Sequence, residues 1–252
     1  MTRSRLTIAS VAVIAAIAIG GFVLYDQVLR GDSAAALALP PASTAPAAST
    51  AAGASTDPAA SVAASAATSG GAVAGTWTVA ADSVAGYRVR EQLANLPAES
   101  DAVGRTDQVT GSITVETSGA TTTLTAASLS VDMTSLASDK TMRDNRLRRE
   151  GLETDAFPTA TFVLTAPVEV PAAALAGTAS DITLTGDLTV HGVTKSVQIP
   201  AQAQLVNGTI QVAGSLTFPL SDYAIVAPNI GGVIVSIAED GTLEFLINFT
   251  KS

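Results

Sequence analysis

Cysteine is absent from this 252-residue chain, and histidine occurs only once. Without cysteine the chain can be neither a disulfide-stapled domain nor a lipoprotein held by a lipid-modified cysteine, and it gives no indication of its redox compartment. A protein zinc site needs several His or Cys ligands, which one histidine cannot supply. We therefore expect neither a metal centre nor a bound cofactor.

Patterns typical of catalysis are also missing. A serine nucleophile needs a histidine base with an orienting acid, and the chain has no Gly-x-Ser-x-Gly sequence. Asp240-Gly241 lacks the repeated Asp and Asn residues of a calcium loop. These absences disfavour an enzyme, including an enzyme that acts on a lipid.

Basic residues are scarce relative to acidic ones, since 13 Lys and Arg face 22 Asp and Glu. Basic and acidic residues are equal in number in the first 74 residues, so the whole net charge of -9 belongs to residues 75–252. Nucleic acid is disfavoured as a partner of so acidic a domain. Even so, a short basic cluster interrupts the acidic domain at Arg143, Arg146, Arg148 and Arg149.

One long apolar run is present, at residues 6–25, and it contains no charged residue. About 20 apolar residues suffice to span a bilayer. Arg3 and Arg5 precede the run, so the positive-inside rule predicts a single-pass anchor in residues 1–30 with the rest of the chain extracytoplasmic. The alternative is a cleaved signal peptide and a secreted protein, because small residues such as Ala36-Leu37-Ala38 follow. We favour the anchor in the cell membrane, because signal-peptide apolar regions usually run about 7–15 residues.

Residues 31–74 consist mainly of Ala, Ser, Thr, Pro and Gly. Such a segment buries too little surface to offset its ordering entropy, which predicts a disordered linker. As a flexible coil, it would place the following domain on the order of 35 Å from the membrane. Its Ser, Thr and Pro content leaves a glycosylated stalk or a wall-crossing arm open as an alternative to a passive spacer.

Residues 75–252 form one domain in which apolar residues recur with a period of two. In the run 182–190 every even position is apolar or glycine, and the odd positions from Thr183 to Thr189 are polar. The same alternation at 109–115, 210–218 and 243–249 predicts half-buried strands. Only residues 138–150 read as helix, with Ser138 as N-cap and Gly151 as stop, so the domain is predicted to be all-β with one short α-helix.

Turn residues separate these runs. Asn207-Gly208 is a strong hairpin signal, and Asp240-Gly241 is expected to precede the last strand. His191-Gly192 fits a two-residue type I′ turn, which requires positive φ at both positions. A direct ligand or proton-transfer role remains the alternative for His191.

About eight antiparallel strands build either a sandwich or a closed barrel, and alternation alone does not separate the two. Many small residues lie on the apolar face, and aromatic residues make up only 4% of the chain. This composition favours a hollow barrel over a filled one, because little side-chain volume is available to plug the interior.

Ordered motifs give a more specific signal. Arg143-Asp144-Asn145-Arg146-Leu147 is followed by Pro158-Thr159-Ala160-Thr161-Phe162 and then by the run Gly186-Asp187-Leu188-Thr189-Val190-His191-Gly192-Val193-Thr194-Lys195. With Trp77-Thr78-Val79 near the start and Leu220-Ser221-Asp222-Tyr223 near the end, this set resembles the YceI-like family over residues 75–251. The resemblance implies an eight-stranded antiparallel lipocalin-like barrel that binds a long isoprenoid or a similar amphiphilic lipid. One departure stands out, because many members carry a histidine after the second strand, where this chain reads Tyr87-Arg88-Val89-Arg90.

The expected function is therefore a membrane-tethered extracytoplasmic protein that sequesters or carries such a lipid, and a structural or stress-related surface domain with a filled core is the alternative. A homodimer stays open. The basic cluster Arg143, Arg146, Arg148 and Arg149 is expected either to contact a head group or the membrane or to be a solvated face with Asp139/Arg143 and Asp144/Arg148 pairs. The ligand-binding wall is expected on the inward side of the alternating runs: Trp77, Tyr87, Val89, Leu188, Val190, Ile210, Val212, Phe245 and Ile247.

Overall fold

The computed structural model describes residues 33–40, 73–94, 99–227 and 234–252. The apolar run at 6–25 and most of the predicted linker lie outside these ranges. Within them, no helix is long and apolar enough to cross a membrane.

β-Strands dominate the described part of the chain. The strands are β1 (Gly75–Val79), β2 (Val84–Leu93), β3 (Ser100–Thr106), β4 (Val109–Ser118), β5 (Thr121–Asp132), β6 (Ala137–Ser138), β7 (Thr159–Leu164), β8 (Val168–Glu169), β9 (Ser180–Val190), β10 (Val193–Val206), β11 (Thr209–Pro219) and β12 (Ile234–Lys251). The helices are α1 (Thr141–Arg146), which continues as a π-helical turn over Leu147–Gly151, and the single turn α2 (Ala172–Leu175), with 3-10 turns at Met133–Ser135 and Leu220–Tyr223.

Some of these strands are successive parts of one longer strand. β1 and β2 together pair with β3 and β4: Gly75 of β1 lies opposite Val115 of β4, and Glu91 of β2 lies opposite Ser100 of β3. β7 and β8 likewise follow each other along β5. Counted in this way, eight antiparallel strands form a ring, which β12 closes by pairing with both β1 and β2. The predicted eight-stranded barrel is confirmed.

The predicted alternation also holds. In β9 the even residues from Leu184 to Val190 are buried, and the odd residues between them are not. Both predicted two-residue turns have positive φ at each position, 51° and 72° for His191 and Gly192 and 51° and 76° for Asn207 and Gly208. These values are those of type I′ hairpins.

Two sequence predictions about element boundaries are wrong. The helix begins at Thr141, because Ser138 belongs to β6 and its hydroxyl donates to the Asp144 carboxylate at 2.6 Å. Asp240-Gly241 lies inside β12, at a bulge, because the strand already begins at Ile234. A strand that absorbs a bulge can carry turn-forming residues without ending.

One half of the barrel has a filled interior, built around Trp77, Ile113 and Ile247. The indole Nε1 of Trp77 donates to the carbonyl oxygen of Val73 at 2.9 Å, and Val73 is only 2% exposed. The packed domain therefore extends at least two residues before the predicted boundary at Gly75.

A chain that begins at Gly75 is expected to be less stable than one that begins at Gly71. Removal of Val73 leaves the buried indole N–H without its acceptor, which costs about 1–3 kcal/mol. Trp77 is the single tryptophan, so urea unfolding followed by its fluorescence measures the difference directly. Equal midpoints for the two chains would show that Val73 contributes nothing.

Residues 33–40 belong to the predicted linker but lie against the outer face of the barrel. The Ser33 hydroxyl donates to the backbone carbonyl of Asp101 at 3.0 Å, and Arg88 donates to the carbonyl of Ala34 at 2.6 Å. This part of the linker is therefore docked on the barrel, contrary to the expectation of a free coil. Backbone carbonyl groups of the segment accept hydrogen bonds from side chains of the sheet.

Candidate functional site

The other half of the barrel holds a cavity of about 140 Å³, here called the main cavity. Strands β2, β3, β5, β7, β9, β11 and β12 contribute to its walls, and the segment from Met133 to Leu152 covers one side. Its lining residues are Ala85, Gly86, Tyr87, Val89, Glu91, Ala102, Val131, Met133, Leu136, Arg143, Leu147, Leu152, Ala160, Val190, Phe218, Leu220, Ile225, Ala227, Ile237, Gly241, Thr242 and Leu243.

Among the described residues this lining is almost entirely apolar, with charge only at Glu91 and Arg143. A site of this kind binds by burial of apolar surface, since few polar groups are present to orient a ligand. The volume is below the roughly 300–1,000 Å³ of common ligand pockets. It is close to that of a cavity of about 150 Å³ that takes up benzene. The main cavity therefore accommodates a short apolar segment, and a longer chain would have to extend out of it.

Arg143 and Glu91 form an ion pair at the edge of the main cavity, with side chains 15% and 4% exposed. Arg143 also bonds to Asp139, four residues earlier, which confirms that predicted pair. Burial alone would lower the pKa of Arg143, but hydrogen bonds and the negative charges of Glu91 and Asp139 outweigh burial and raise it. The guanidinium is therefore held charged and in place.

Tyr87 places a phenol in the main cavity. Its ring lies over Gly104 of the neighbouring strand, where a Cβ atom would come within 2.3 Å of the ring. Burial is the main cause that raises the pKa of Tyr87, so the phenol is neutral at physiological pH. Its Oη is buried and has no hydrogen-bond partner in the described part of the chain. A ligand group that donates or accepts a hydrogen bond would satisfy this oxygen.

The nine predicted wall residues divide among three environments. Tyr87, Val89 and Val190 line the main cavity. Ile210 and Val212 line a second void of about 40 Å³, here called the small cavity, at the filled half. The other four are in the packed core and line neither cavity: Trp77, Leu188, Phe245 and Ile247.

The four basic residues predicted to contact a head group also differ in their surroundings. Arg143 lines the main cavity, whereas Arg146 pairs with Glu150 at 3.4 Å. Arg148 donates to the backbone carbonyl of Leu136 at 3.2 Å rather than pairing with Asp144, whose carboxylate binds Ser138. Arg149 is exposed.

Sequence reasoning missed most of the apolar cover of the main cavity, which comes from Met133, Leu136, Leu147, Leu152 and Ile225. These residues lie in turns and in the helix, where no strand alternation marks an inward side. Leu147 alone carried a signal, because it follows Arg143 by four residues and so lies on the same helix face.

His191 connects two segments outside both cavities. Its Nδ1 is 3.1 Å from the backbone carbonyl oxygen of Tyr223, and its Nε2 is 3.0 Å from a carboxylate oxygen of Glu153. The Phe157 ring packs edge-on against it at 4.5 Å. The predicted turn role is confirmed, and the side chain in addition ties the turn to two other parts of the fold.

We expect His191→Asn to lower the free energy of unfolding by about 1–2 kcal/mol, since each lost hydrogen bond contributes about 1 kcal/mol. Asparagine keeps the positive φ of the turn but is shorter than histidine, so it loses both partners. Asn207→Gly in the other type I′ turn is the matched control, with an expected change below about 0.5 kcal/mol. Urea unfolding measures both, and equal small changes would show that the turn alone matters.

The closed barrel of eight antiparallel strands, filled in one half and hollow in the other, defines a lipocalin-like barrel. The family model for the YceI-like domain matches residues 57–249. The chain therefore belongs to the YceI-like family.

The chain is also similar to several solved structures. A polyisoprenoid-binding domain from Saccharophagus degradans, implicated in plant cell wall breakdown, is 22% identical, with a TM-score of 0.54, and covers 70% of this chain and 98% of its own. BcnA from Burkholderia cenocepacia is 19% identical, with a TM-score of 0.49, and covers 66% of this chain and 95% of its own. The YCEI protein of Campylobacter jejuni is 16% identical, with a TM-score of 0.44, and covers 59% of this chain and 85% of its own. None of the curated proteins matches the chain.

Proposed function

We propose that this protein sequesters or carries a long-chain isoprenoid or a similar amphiphilic lipid, with part of the apolar chain in the main cavity. The observation that carries the proposal is the nearly all-apolar lining of this cavity inside a closed barrel. The polyisoprenoid-binding activity of the S. degradans domain supports the same ligand class. Each buried methylene contributes about 0.8 kcal/mol, so even a short inserted segment adds useful affinity.

The polar end of the lipid lies, in this proposal, near Tyr87 and Arg143. Tyr87 offers an unpartnered phenol, while the charge of Arg143 is already balanced by Glu91 and Asp139. A head group that forms hydrogen bonds therefore fits the cavity edge better than one that requires a free cation. Arg146 and Arg149 lie further along the same helical segment and would face outward toward lipid head groups, whereas Arg148 is held against Leu136.

Two exposed apolar residues support a lipid surface as the source of the ligand. Met142 is 67% exposed and precedes Arg143, and Val226 is 70% exposed between the cavity residues Ile225 and Ala227. Exposed apolar side chains close to the basic helical segment suit contact with a membrane. We further propose that the apolar run at residues 6–25 anchors the protein, that the barrel is extracytoplasmic, and that it has no enzymatic activity.

Organic extraction of the purified full-length protein, followed by mass spectrometry, tests the proposal. We expect an isoprenoid or another long-chain amphiphile in the extract, at a molar ratio approaching one per barrel. An unrelated membrane-anchored protein purified in the same detergent controls for lipid carried over with micelles. Lipid content no higher than in this control would contradict the proposal.

A structural surface domain is the second candidate, and the filled half of the barrel favours it. Trp77, Leu188, Phe245 and Ile247 pack against one another and against their neighbours and leave no room for a chain. Under this alternative the main cavity is a packing defect, and the protein contains no lipid when it is purified.

A further inference from the structure

Two polar residues on the outer face of the barrel are buried although their strands direct them away from the interior. Glu244 of β12 and Gln204 of β10 alternate with core residues, and each is only 2% exposed. A carboxylate on the outside of a barrel normally faces water, since a buried charge is costly without partners. Something must therefore cover this part of the sheet.

Glu244 is held by two arginines from neighbouring strands. Arg105 of β3 contacts one carboxylate oxygen at 2.7 Å, and Arg88 of β2 approaches the other at 3.5 Å. Arg88 also pairs with Asp101 at 3.1 Å. Asp101 also accepts from Arg90 at 3.2 Å, so both carboxylates are paired on the outer surface of three strands. The guanidinium groups of Arg88 and Arg105 still have N–H donors to spare.

Residues 33–40, here called the docked segment, use those donors. Arg88 donates to the carbonyl of Ala34, and Arg105 donates to the carbonyl of Ala35. The Ser33 hydroxyl accepts from the backbone N–H of Asp101 at 3.2 Å and donates to its carbonyl. An extended segment of this kind is recognised through its backbone rather than through large side chains.

The other end of the docked segment reaches the far side of the same sheet. Gln204 donates to the carbonyl of Pro40 at 3.3 Å. Leu37 is half-buried and lines a groove with Gln202 and Ala213 of β10 and β11, and Leu39 is also half-buried. Residues 33–40 therefore cross β3, β2, β12, β11 and β10 in turn.

We propose that the outer face around Glu244, Arg88, Arg105 and Gln204 is an intramolecular docking surface whose occupant is residues 33–40 of the same chain. If residues 6–25 anchor the protein, as proposed above, only seven residues separate the anchor from the docked segment. At about 3.3–3.6 Å per residue they hold the barrel within roughly 25 Å of the bilayer.

Cysteine labelling of the full-length protein tests the docking, because the chain has no cysteine of its own. A Leu37→Cys variant is expected to react with a water-soluble maleimide at least about tenfold more slowly than an Ala120→Cys variant, because Ala120 is exposed in the turn between β4 and β5, whereas labelling of a docked residue requires local opening. The difference must disappear in urea. Equal rates in the native protein would overturn the proposal.

A second substitution inside the segment keeps the test independent of barrel stability. Leu39→Asp, made in the Leu37→Cys chain, leaves the core unchanged and is expected to raise the labelling rate toward that of Ala120→Cys. Ala120→Asp in the same chain is the matched control and should leave the rate unchanged. No effect of Leu39→Asp would show that Leu37 is protected by something other than docking.

The dependence of labelling on protein concentration and the intact mass of the mature chain distinguish the remaining outcomes. Protection that is independent of protein concentration supports docking within one chain, whereas protection lost on dilution means that a second copy supplies the segment and overturns the proposal. A mature chain whose intact mass shows cleavage after Ala38 also overturns it, because most of the segment would be gone. None of these results depends on bound lipid, so failure of the docking is distinguishable from failure of the carrier function.

Discussion

Replacement of Arg143 by methionine is expected to lower the free energy of unfolding by about 3–5 kcal/mol, because it leaves the Glu91 carboxylate buried without its cation. Glu91 is 4% exposed, so water cannot replace the guanidinium at that position. Urea or thermal unfolding measures the change. A matched substitution on the same helical segment, Arg149→Met, is expected to change stability by less than about 0.5 kcal/mol, since Arg149 is exposed.

The double variant Glu91→Leu with Arg143→Met separates the buried charge from the lost side-chain volume. With both charges removed, two apolar side chains of suitable size face each other, and such replacements are often neutral. We therefore expect most of the lost stability to return. A double variant as unstable as Arg143→Met alone would show that the lost Arg143 packing, not the stranded Glu91 charge, causes the damage.

Val190→Phe is expected to reduce extractable lipid at least about tenfold with little change in thermal midpoint. The added ring would fill the main cavity, where the lipid chain is proposed to bind, and the surrounding side chains are too closely packed to make new room. Val190 lines the main cavity from the end of β9. Mass spectrometry of the extract and a thermal unfolding curve are measured on the same preparation.

Val212→Trp is the companion change in the other half of the barrel. The small cavity beside Val212 is only about 40 Å³, so the indole overpacks it and is expected to cost about 1–3 kcal/mol. Lipid content per folded molecule should be unchanged. A fall in midpoint for Val190→Phe, together with no lipid in the parent protein, would leave the structural role as the better description.

The sequence predicted the strands and turns well, because both depend on local rules. The alternation in β9 and the two positive-φ pairs at His191-Gly192 and Asn207-Gly208 follow from pleating and from turn geometry, and the structure has them as expected. The family motifs identified the barrel where alternation alone left a sandwich open. In these elements each residue is constrained by its near neighbours.

The candidate site was harder to predict because its parts meet only in three dimensions. Glu91 occupies an inward position of β2, where a charge breaks the apolar alternation, and only the fold places Arg143 from the helix beside it. Leu136 and Leu152 lie in irregular segments with no inward side to recognise. The docked segment has the same composition as the rest of the linker, and only its contacts with Arg88 and Arg105 distinguish it.

The closure of the barrel also has a consequence for how the chain folds. β1 pairs with the end of β12, so that Trp77 lies opposite Lys251, the penultimate residue of the sequence. Synthesis proceeds from the N-terminus, so β1 and β2 lack their partner β12 until residues 234–251 have been made. Contacts so distant in sequence slow folding toward milliseconds to seconds, roughly as in other all-β proteins. During that interval the β1 edge is open to pairing with other chains, so the final strand controls both the rate of folding and the escape from aggregation.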